Sequence, residues 1–392
     1  MTTAPPLTAT QNAPAPSTAA GPATGSAAGP ANGSAAGPAA GSAAGPDEWA
    51  AVLAQIAERA DAVDRGEVSA RGVLAPLARA GVLDLGAPAN AGGALPAMAQ
   101  AVEDIARECV SSAFTTWAQR VTIEYLASAD TDYAREVVRG LRDGTTPGVT
   151  GMASAFRELS GCGSLDLTAT PTAGGHVVSG RIRWASNLYD DACVVSAART
   201  DAGERIVFAA SLATPGLSAG RPFPLLGLNA TASSTLTFDE VFVGRDQVLS
   251  TDFERFLSGV RGTFLLLQTA LCLGLAATAL EQVRGRLTGL NAVFTGDADR
   301  TFGRWHVART ALHDLAARVG GSQPPTRLEL LSLRLAAAEV ATDSSTLEVK
   351  TAGGGGYARH SGASRCFRES FFVPVQSPSE AQLRWELAQC RS

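Results

Sequence analysis

The sequence predicts an α+β protein in three successive parts: a helical domain, a middle β domain and a C-terminal helical bundle. Three observations carry this prediction. From Asp47 to about Gly144 apolar residues recur at helical spacing. Short β-prone runs punctuated by Gly, Pro and Asp follow, to about residue 248. Helical periodicity then returns in longer segments. The expected boundaries are 47–146, 147–248 and 249–392.

Residues 1–46 stand apart. From Gly21 an eight-residue unit repeats as GPATGSAA, GPANGSAA and GPAAGSAA, and no charge appears before Asp47. Such a segment has too little apolar surface to offset the entropy of ordering, so a disordered tail is expected. In the next part Trp49, Val52, Leu53 and Ile56 mark a first helix. Val73, Leu74, Leu77 and Val82 mark a second, 96–109 reads as a third, and Phe114, Trp117, Val121 and Leu126 mark a fourth.

In the middle part the runs SLDLTATP, HVVSGRIRW, CVVSAART, RIVFAAS and STLTFDEVFV read as strands. TAGGH is a hairpin turn between the first two. An antiparallel sandwich or barrel is expected. The last part shows helices at about 256–287, 302–320, 326–352 and 378–389, joined by short links, which suggests a four-helix bundle.

Composition excludes several classes of function. With 45% hydrophobic and 18% charged residues the chain reads as globular. A net charge of −5 and a pI near 5.5 do not call for nucleic acid or an anionic membrane. The six cysteines are scattered without a C-x-x-C pair, so reduced thiols and a cytoplasmic setting are expected. His306 and His313 are seven residues apart without cysteines at ligand spacing, and no metal site is expected. The first residues lack a basic region followed by an apolar core. The longest apolar stretch, 264–280, is interrupted by Gln268, Thr269, Gly274 and Thr278, and reads as a buried helix rather than a membrane span.

Several motifs now fall in order. AGVLDLGAPANAGG lies in the first part, HVVSGRIRWASN and LTFDEVFV in the second, and RTFG, GGGGY and RCFRES in the third. Together they resemble the acyl-CoA dehydrogenase superfamily over nearly the whole chain after residue 46. The resemblance implies that superfamily's fold and a flavin cofactor. FAD is the first expectation, and FMN or reduced flavin from a partner reductase is the alternative.

It also implies site residues. Trp184 of WASN corresponds to a Trp that lies against the flavin ring, and Ser186 to a Thr that bonds near N5. The loop with the family pattern LTEPxAGSD is replaced by GMASAFRELSGCGSLD, where Ser154 is the candidate flavin contact. Arg300, with Arg286 as rival, corresponds to an Arg that reaches the dinucleotide across a subunit interface. Lys350 stands where the family has Gln, and Gly353, Gly354 and Gly356 belong to the glycine signature beside it. A homodimer or homotetramer follows from the same resemblance.

The family's catalytic base, a Glu before the last helix, is missing. In an ungapped match Ser377 occupies its position and Gln376 that of the preceding Tyr, with Arg384 in register beyond. A serine is no base near neutral pH without an activator. Ser377, followed by Pro378 and Glu380, reads instead as a helix cap. Glu254 lies upstream of the alternative base position on the first long bundle helix. Glu369 is expected to be structural, paired with Arg368 or a backbone group.

Three functions are compatible with these residues. The first is an oxidoreductase of CoA- or carrier-protein-linked acyl thioesters, reoxidised by an electron-transfer flavoprotein or dioxygen. The second is a two-component flavin monooxygenase fed by a flavin reductase. The third is a non-catalytic scaffold that binds a carrier protein. The altered loop and the missing base point to specialised metabolism.

Overall fold

The computed structural model describes residues 45–129 and 131–390, so the expected tail lies outside the described residues except for its last two. Helix α1 (Pro46–Asp64) begins with proline and carries Asp47 and Glu48 in its first turn, favourable choices for a helix start. It is followed by α2 (Leu74–Arg79), α3 (Leu95–Glu108), α4 (Val110–Ala127) and α5 (Asp132–Arg142). Cys109 breaks α3 from α4 with extended backbone, φ −156° and ψ 110°.

Helix α4 is buried on all faces from Val110 to Leu126, so its polar side chains need internal partners. Arg120 is fully buried, donating to Glu124 at 2.8 Å and to the Leu85 carbonyl at 3.0 Å. Glu124 also accepts from the Ala89 amide at 2.8 Å.

The middle part holds β1 (Gly148–Thr150), a helix α6 (Ala153–Ser160), β2 (Leu167–Thr172), β3 (Gly175–Ala185), β4 (Cys193–Thr200), β5 (Arg205–Ser211), β6 (Leu217–Ala219), β7 (Ser234–Gly244) and β8 (Val248–Ser250). The strand order is β6-β7-β3-β2-β4-β5-β8, with β1 on β4. Val178, Ile182, Phe208, Leu236 and Phe238 are among the residues that close its apolar core. The TAGGH turn joins β2 to β3, with Thr172 opposite Gly175.

Most strand pairs are antiparallel as expected, but β4 runs parallel to both β1 and β2. Turn signals report pairing between sequence neighbours only, and β4 joins strands that are not its neighbours. α6 is a second departure, since its segment reads as a loop in sequence. Its eight residues end at Gly161 in the left-handed region (φ 77°), a geometry that glycine adopts without penalty.

The C-terminal part consists of α7 (Phe253–Arg286), α8 (Thr295–Arg318), α9 (Arg327–Gly356), α10 (Gly362–Ser370) and α11 (Glu380–Gln389). α7 is long and apolar enough to cross a membrane, but the apolar stretch that qualifies it is 94% buried inside the protein. Close packing on α3 depends on Gly274, where a Cβ would lie 2.3 Å from the Glu103 carbonyl oxygen.

Two further expectations are corrected. α8 starts at Thr295 rather than near residue 302, so Arg300 and Thr301 also lie on the helix. The cap of α11 is Ser379, which accepts from the Gln382 amide at 3.4 Å. Ser377 lies too far upstream, because helical geometry begins only at Glu380.

Candidate active site

A cavity of about 610 Å³ opens where the three parts of the chain meet. α4 contributes Phe114 and Trp117, the end of β3 contributes Trp184 and Ser186, and α7 contributes Phe264. The segment after α10 adds Phe372 and Ser377.

Strand β3 places Trp184 there through an irregularity. The register against β7 shifts between Ile182 and Ala185, so Arg183 and Trp184 are both exposed between two buried residues. The Trp184 side chain is 62% exposed and meets Phe223 at 4.3 Å between ring centroids. A large apolar ring left open at a cavity wall marks a contact surface rather than core packing.

Proton counting fixes the polarity of Ser186. Thr231 gives its single hydroxyl proton to the Leu228 carbonyl at 2.8 Å. In the 2.7 Å contact between Thr231 and Ser233, Ser233 must therefore be the donor. Ser186, 2.7 Å from Ser233, must then donate in its turn. The Ser186 oxygen consequently offers lone pairs to the cavity, where it accepts a hydrogen bond from a ligand N–H or O–H.

The inner wall is aromatic. Phe114 stacks on Trp117 at 5.3 Å and meets Phe372 edge-on at 4.9 Å, while Trp117 meets Phe264 at 5.1 Å. Such a wall suits a planar or apolar ligand.

Ser377 closes the cavity, on a segment clamped from both bundle helices. Gln268 of α7 donates to the Ser377 carbonyl at 2.9 Å, and Arg334 of α9 donates to the Val373 carbonyl at 3.0 Å. Arg334 is fully buried and also bonds Gln268 and Gln376 at 3.2 and 3.3 Å. The Ser377 hydroxyl itself is buried without a hydrogen-bond partner among the described residues.

No Asp or Glu lines this cavity among the described residues. Its charged residues are Arg157 and Arg368. Arg368 is bidentate on Asp64 at 2.8 and 2.5 Å and also bonds the Leu226 carbonyl. That commitment corrects the expected pairing of Glu369 with Arg368. Glu369 is 3% exposed with one carboxylate oxygen unpartnered, and burial pushes its pKa up to about 7, partly offset by Arg365. Glu254 is exposed and paired with Arg205, and it does not line the cavity.

The other sequence candidates are dispersed. Ser154 is buried on the first turn of α6, and its neighbour Ala153 is the one that lines the cavity. Arg300 is exposed on α8 and paired with Asp297. Lys350, Gly353 and Gly354 are exposed on α9, where Gly353 kinks the helix with φ 62° and ψ −148°. A Cβ at Gly353 or Gly354 would meet nothing within 4 Å, so this chain leaves that surface uncovered. Gly356 differs, because a Cβ there would lie 2.5 Å from Ala352. Gly356 and Arg286 line a second cavity of about 490 Å³ that also contains Glu348 and Glu369.

Sequence reasoning missed Arg157 and Arg334. Arg334 had a signal, a charged residue inside the apolar run LLSLRLAAA. His313 bonds Glu103 at 3.2 Å, and the described residues contain no group of three potential metal ligands.

The fold and this cavity define an acyl-CoA dehydrogenase architecture: helices, a β domain and a helical bundle around one open cleft. The glutaryl-coenzyme A dehydrogenase glutaryl-CoA complex superposes with TM-score 0.76 at 17% identity, covering 87% of this chain and 94% of that one. Butyryl-CoA dehydrogenase from Megasphaera elsdenii gives 0.75 at 18%, covering 88% and 98%. Nitrososynthase from Micromonospora carbonacea var. africana gives 0.73 at 18%, covering 88% and 95%.

Among curated proteins, benzylmalonyl-CoA dehydrogenase of Aromatoleum aromaticum is 27% identical, over 58% of this chain and 62% of its own length. The mitochondrial short-chain specific acyl-CoA dehydrogenase of Bos taurus is 25% identical, over 57% and 58%. The chain thus spans about three fifths of the length of these relatives. No family model matches the sequence. The chain shares the acyl-CoA dehydrogenase fold, and its sequence is similar to curated acyl-CoA dehydrogenases.

Proposed function

We propose that the protein is a flavin-dependent oxidoreductase, with FAD held beside Trp184 and Ser186, that uses dioxygen and reduced flavin as a monooxygenase. The observation that carries this reading is the absence of any carboxylate among the described residues lining the cavity. Abstraction of an α-proton by a protein carboxylate has no candidate there, whereas oxygen transfer requires only a shaped, water-poor pocket.

Bound flavin supplies two-electron transfer and, when reduced, activation of dioxygen. The protein's own part is to bind, orient and exclude water. Trp184 covers a ring face, and Ser186 accepts from an N–H, which suits the reduced ring. The aromatic wall keeps the substrate and its surroundings dry. Arg300, Lys350, Gly353 and Gly354, exposed on this chain, reach the dinucleotide of a second copy in a homo-oligomer.

A second reading is an acyl-thioester dehydrogenase, favoured by the 27% and 25% identity to proteins of that activity. It needs a base from outside the described lining. An electron-transfer flavoprotein would then be the partner, in place of a flavin reductase.

The test begins with the purified protein's absorbance and the affinity for added FAD, FMN and reduced FAD. Oxygen consumption coupled to substrate, dependent on an NADH-fed flavin reductase, is the expected outcome. Anaerobic bleaching by acyl-CoA substrates would replace the first reading by the second. Failure to bind any flavin would refute both.

A further inference from the structure

We propose that Arg157 binds a carboxylate of the substrate, whose apolar body lies against Phe114, Trp117, Phe264 and Phe372. The inference rests on the reading of the aromatic cavity as the substrate site of a flavin-dependent enzyme. It adds the class of substrate: an apolar or aromatic carboxylic acid.

Arg157 projects from α6 and lines both the aromatic cavity and an adjoining cavity of about 450 Å³. The two cavities share Arg157, Val375 and Ser377, so the guanidinium stands where they meet. It is also the less committed cation of the site, with one long ion pair, to Asp166. Among the described residues its side chain makes no hydrogen bond, and its nearest carboxylate, Asp166, is 3.6 Å away. Arg368, the other cation, is occupied by Asp64 and the Leu226 carbonyl.

Two further acids nearby, Glu158 and Glu386, are committed elsewhere. Glu158, next in sequence, pairs with Arg199 and accepts from the Leu165 amide at 2.8 Å. Glu386 pairs with Arg261 at 2.5 Å and Arg327 at 2.8 Å. The site therefore holds a positive charge whose one internal counter-ion, Asp166, lies at 3.6 Å, beyond hydrogen-bond distance.

A planar guanidinium with free donors matches a carboxylate in two parallel hydrogen bonds. A single arginine, with no lysine or second free cation in either lining, favours a monoanion over a phosphate. The side chain is 40% exposed, so a ligand that covers it excludes water and strengthens the pair. The apolar wall and the charge lie in one continuous space. The ligand is accordingly amphipathic, with its acid at the junction of the cavities and its apolar end against the rings.

The test uses the full-length protein with phenylbutyrate and its uncharged amide. Binding is followed by calorimetry and by the fluorescence of Trp117 and Trp184, with flavin content measured on the same samples. The acid should bind about tenfold or more tightly than the amide to the wild type, as a charge-assisted pair requires. Arg157→Gln, checked for folding by circular dichroism, should erase that ratio, and Arg157→Lys should retain part of it. An unchanged ratio in Arg157→Gln, or a wild type that binds neither probe, overturns the inference. Phenyl phosphate binding more tightly than phenylbutyrate overturns the carboxylate assignment. Bound flavin without acid discrimination overturns this site alone. Discrimination in a protein that binds no flavin supports the site and overturns the flavoenzyme reading.

Discussion

Glu369 gives a stability prediction with its sign fixed by structure. Its carboxyl is 3% exposed, one oxygen has no partner, and Arg368 is turned to Asp64. Burial raises its pKa from the ordinary 4.5 to about 7. An acid whose folded pKa is raised favours the folded state fully below the unfolded value, and that favour is lost as pH rises through the folded value. The window is therefore about pH 4.5 to 7. At about 1.4 kcal/mol per pKa unit the loss amounts to about 3 kcal/mol above pH 7. Glu369→Gln keeps shape and hydrogen-bonding capacity without the charge. It should match the wild type near pH 4 and be more stable by up to about 3 kcal/mol at pH 8. Urea unfolding followed by circular dichroism at both pH values measures this. A variant with the wild-type pH slope, or one weaker than wild type at pH 8, would refute the account of Glu369 as an uncompensated buried acid.

Four other perturbations test the site and the fold. Trp184→Ala should weaken flavin binding by about tenfold and shift the bound flavin's absorbance, since a stacked indole is lost; unchanged affinity and spectrum would remove Trp184 from the site. Thr231→Val removes the acceptor that fixes the polarity of Ser233 and Ser186. The ratio of reduced to oxidised flavin affinity should fall by about two- to tenfold, the range of one neutral hydrogen bond, and a constant ratio contradicts the proton count. Ser377→Glu places a carboxylate at the position of the family's base. Anaerobic acyl-CoA should then bleach bound flavin in the variant and not in the wild type; no bleaching with flavin bound shows that position 377 alone does not control that chemistry. Gly274→Ala sets a Cβ 2.3 Å from the Glu103 carbonyl. It should cost about 1–3 kcal/mol by forcing α3 and α7 apart, and wild-type stability in denaturant melts would show that the helices slide freely.

What was legible in sequence followed from local pattern. The period of apolar residues placed the long helices, and HVVSGRIRWASN placed Trp184 and Ser186 at the end of one strand and in one cavity. α6 was hidden because eight residues between glycine-rich flanks give too little periodicity to separate a helix from a loop. The cap was misplaced by two residues because SPSE contains two serines, and backbone geometry chose Ser379. Arg157 carried no signal at all. Whether an arginine is committed depends on which acids the fold brings near it, and Asp166, Glu158 and Asp64 are assigned by tertiary structure alone. The pairing of β4 with β1 and β2 was hidden for the same reason.

The ion pairs that tie α1 to α10 bear on how the chain is made. Arg365 meets Asp61 and Arg368 meets Asp64, each across 304 residues of sequence. Arg368 also borders the aromatic cavity, so part of its wall is anchored to α1. During synthesis the β domain can complete its hairpins early from nearby segments. The cleft cannot close until α10 has emerged. A chain stopped before residue 365 would carry a formed sheet and an exposed aromatic face, the kind of surface that chaperones hold. Closure of the binding site thus waits on α10, not on the sheet.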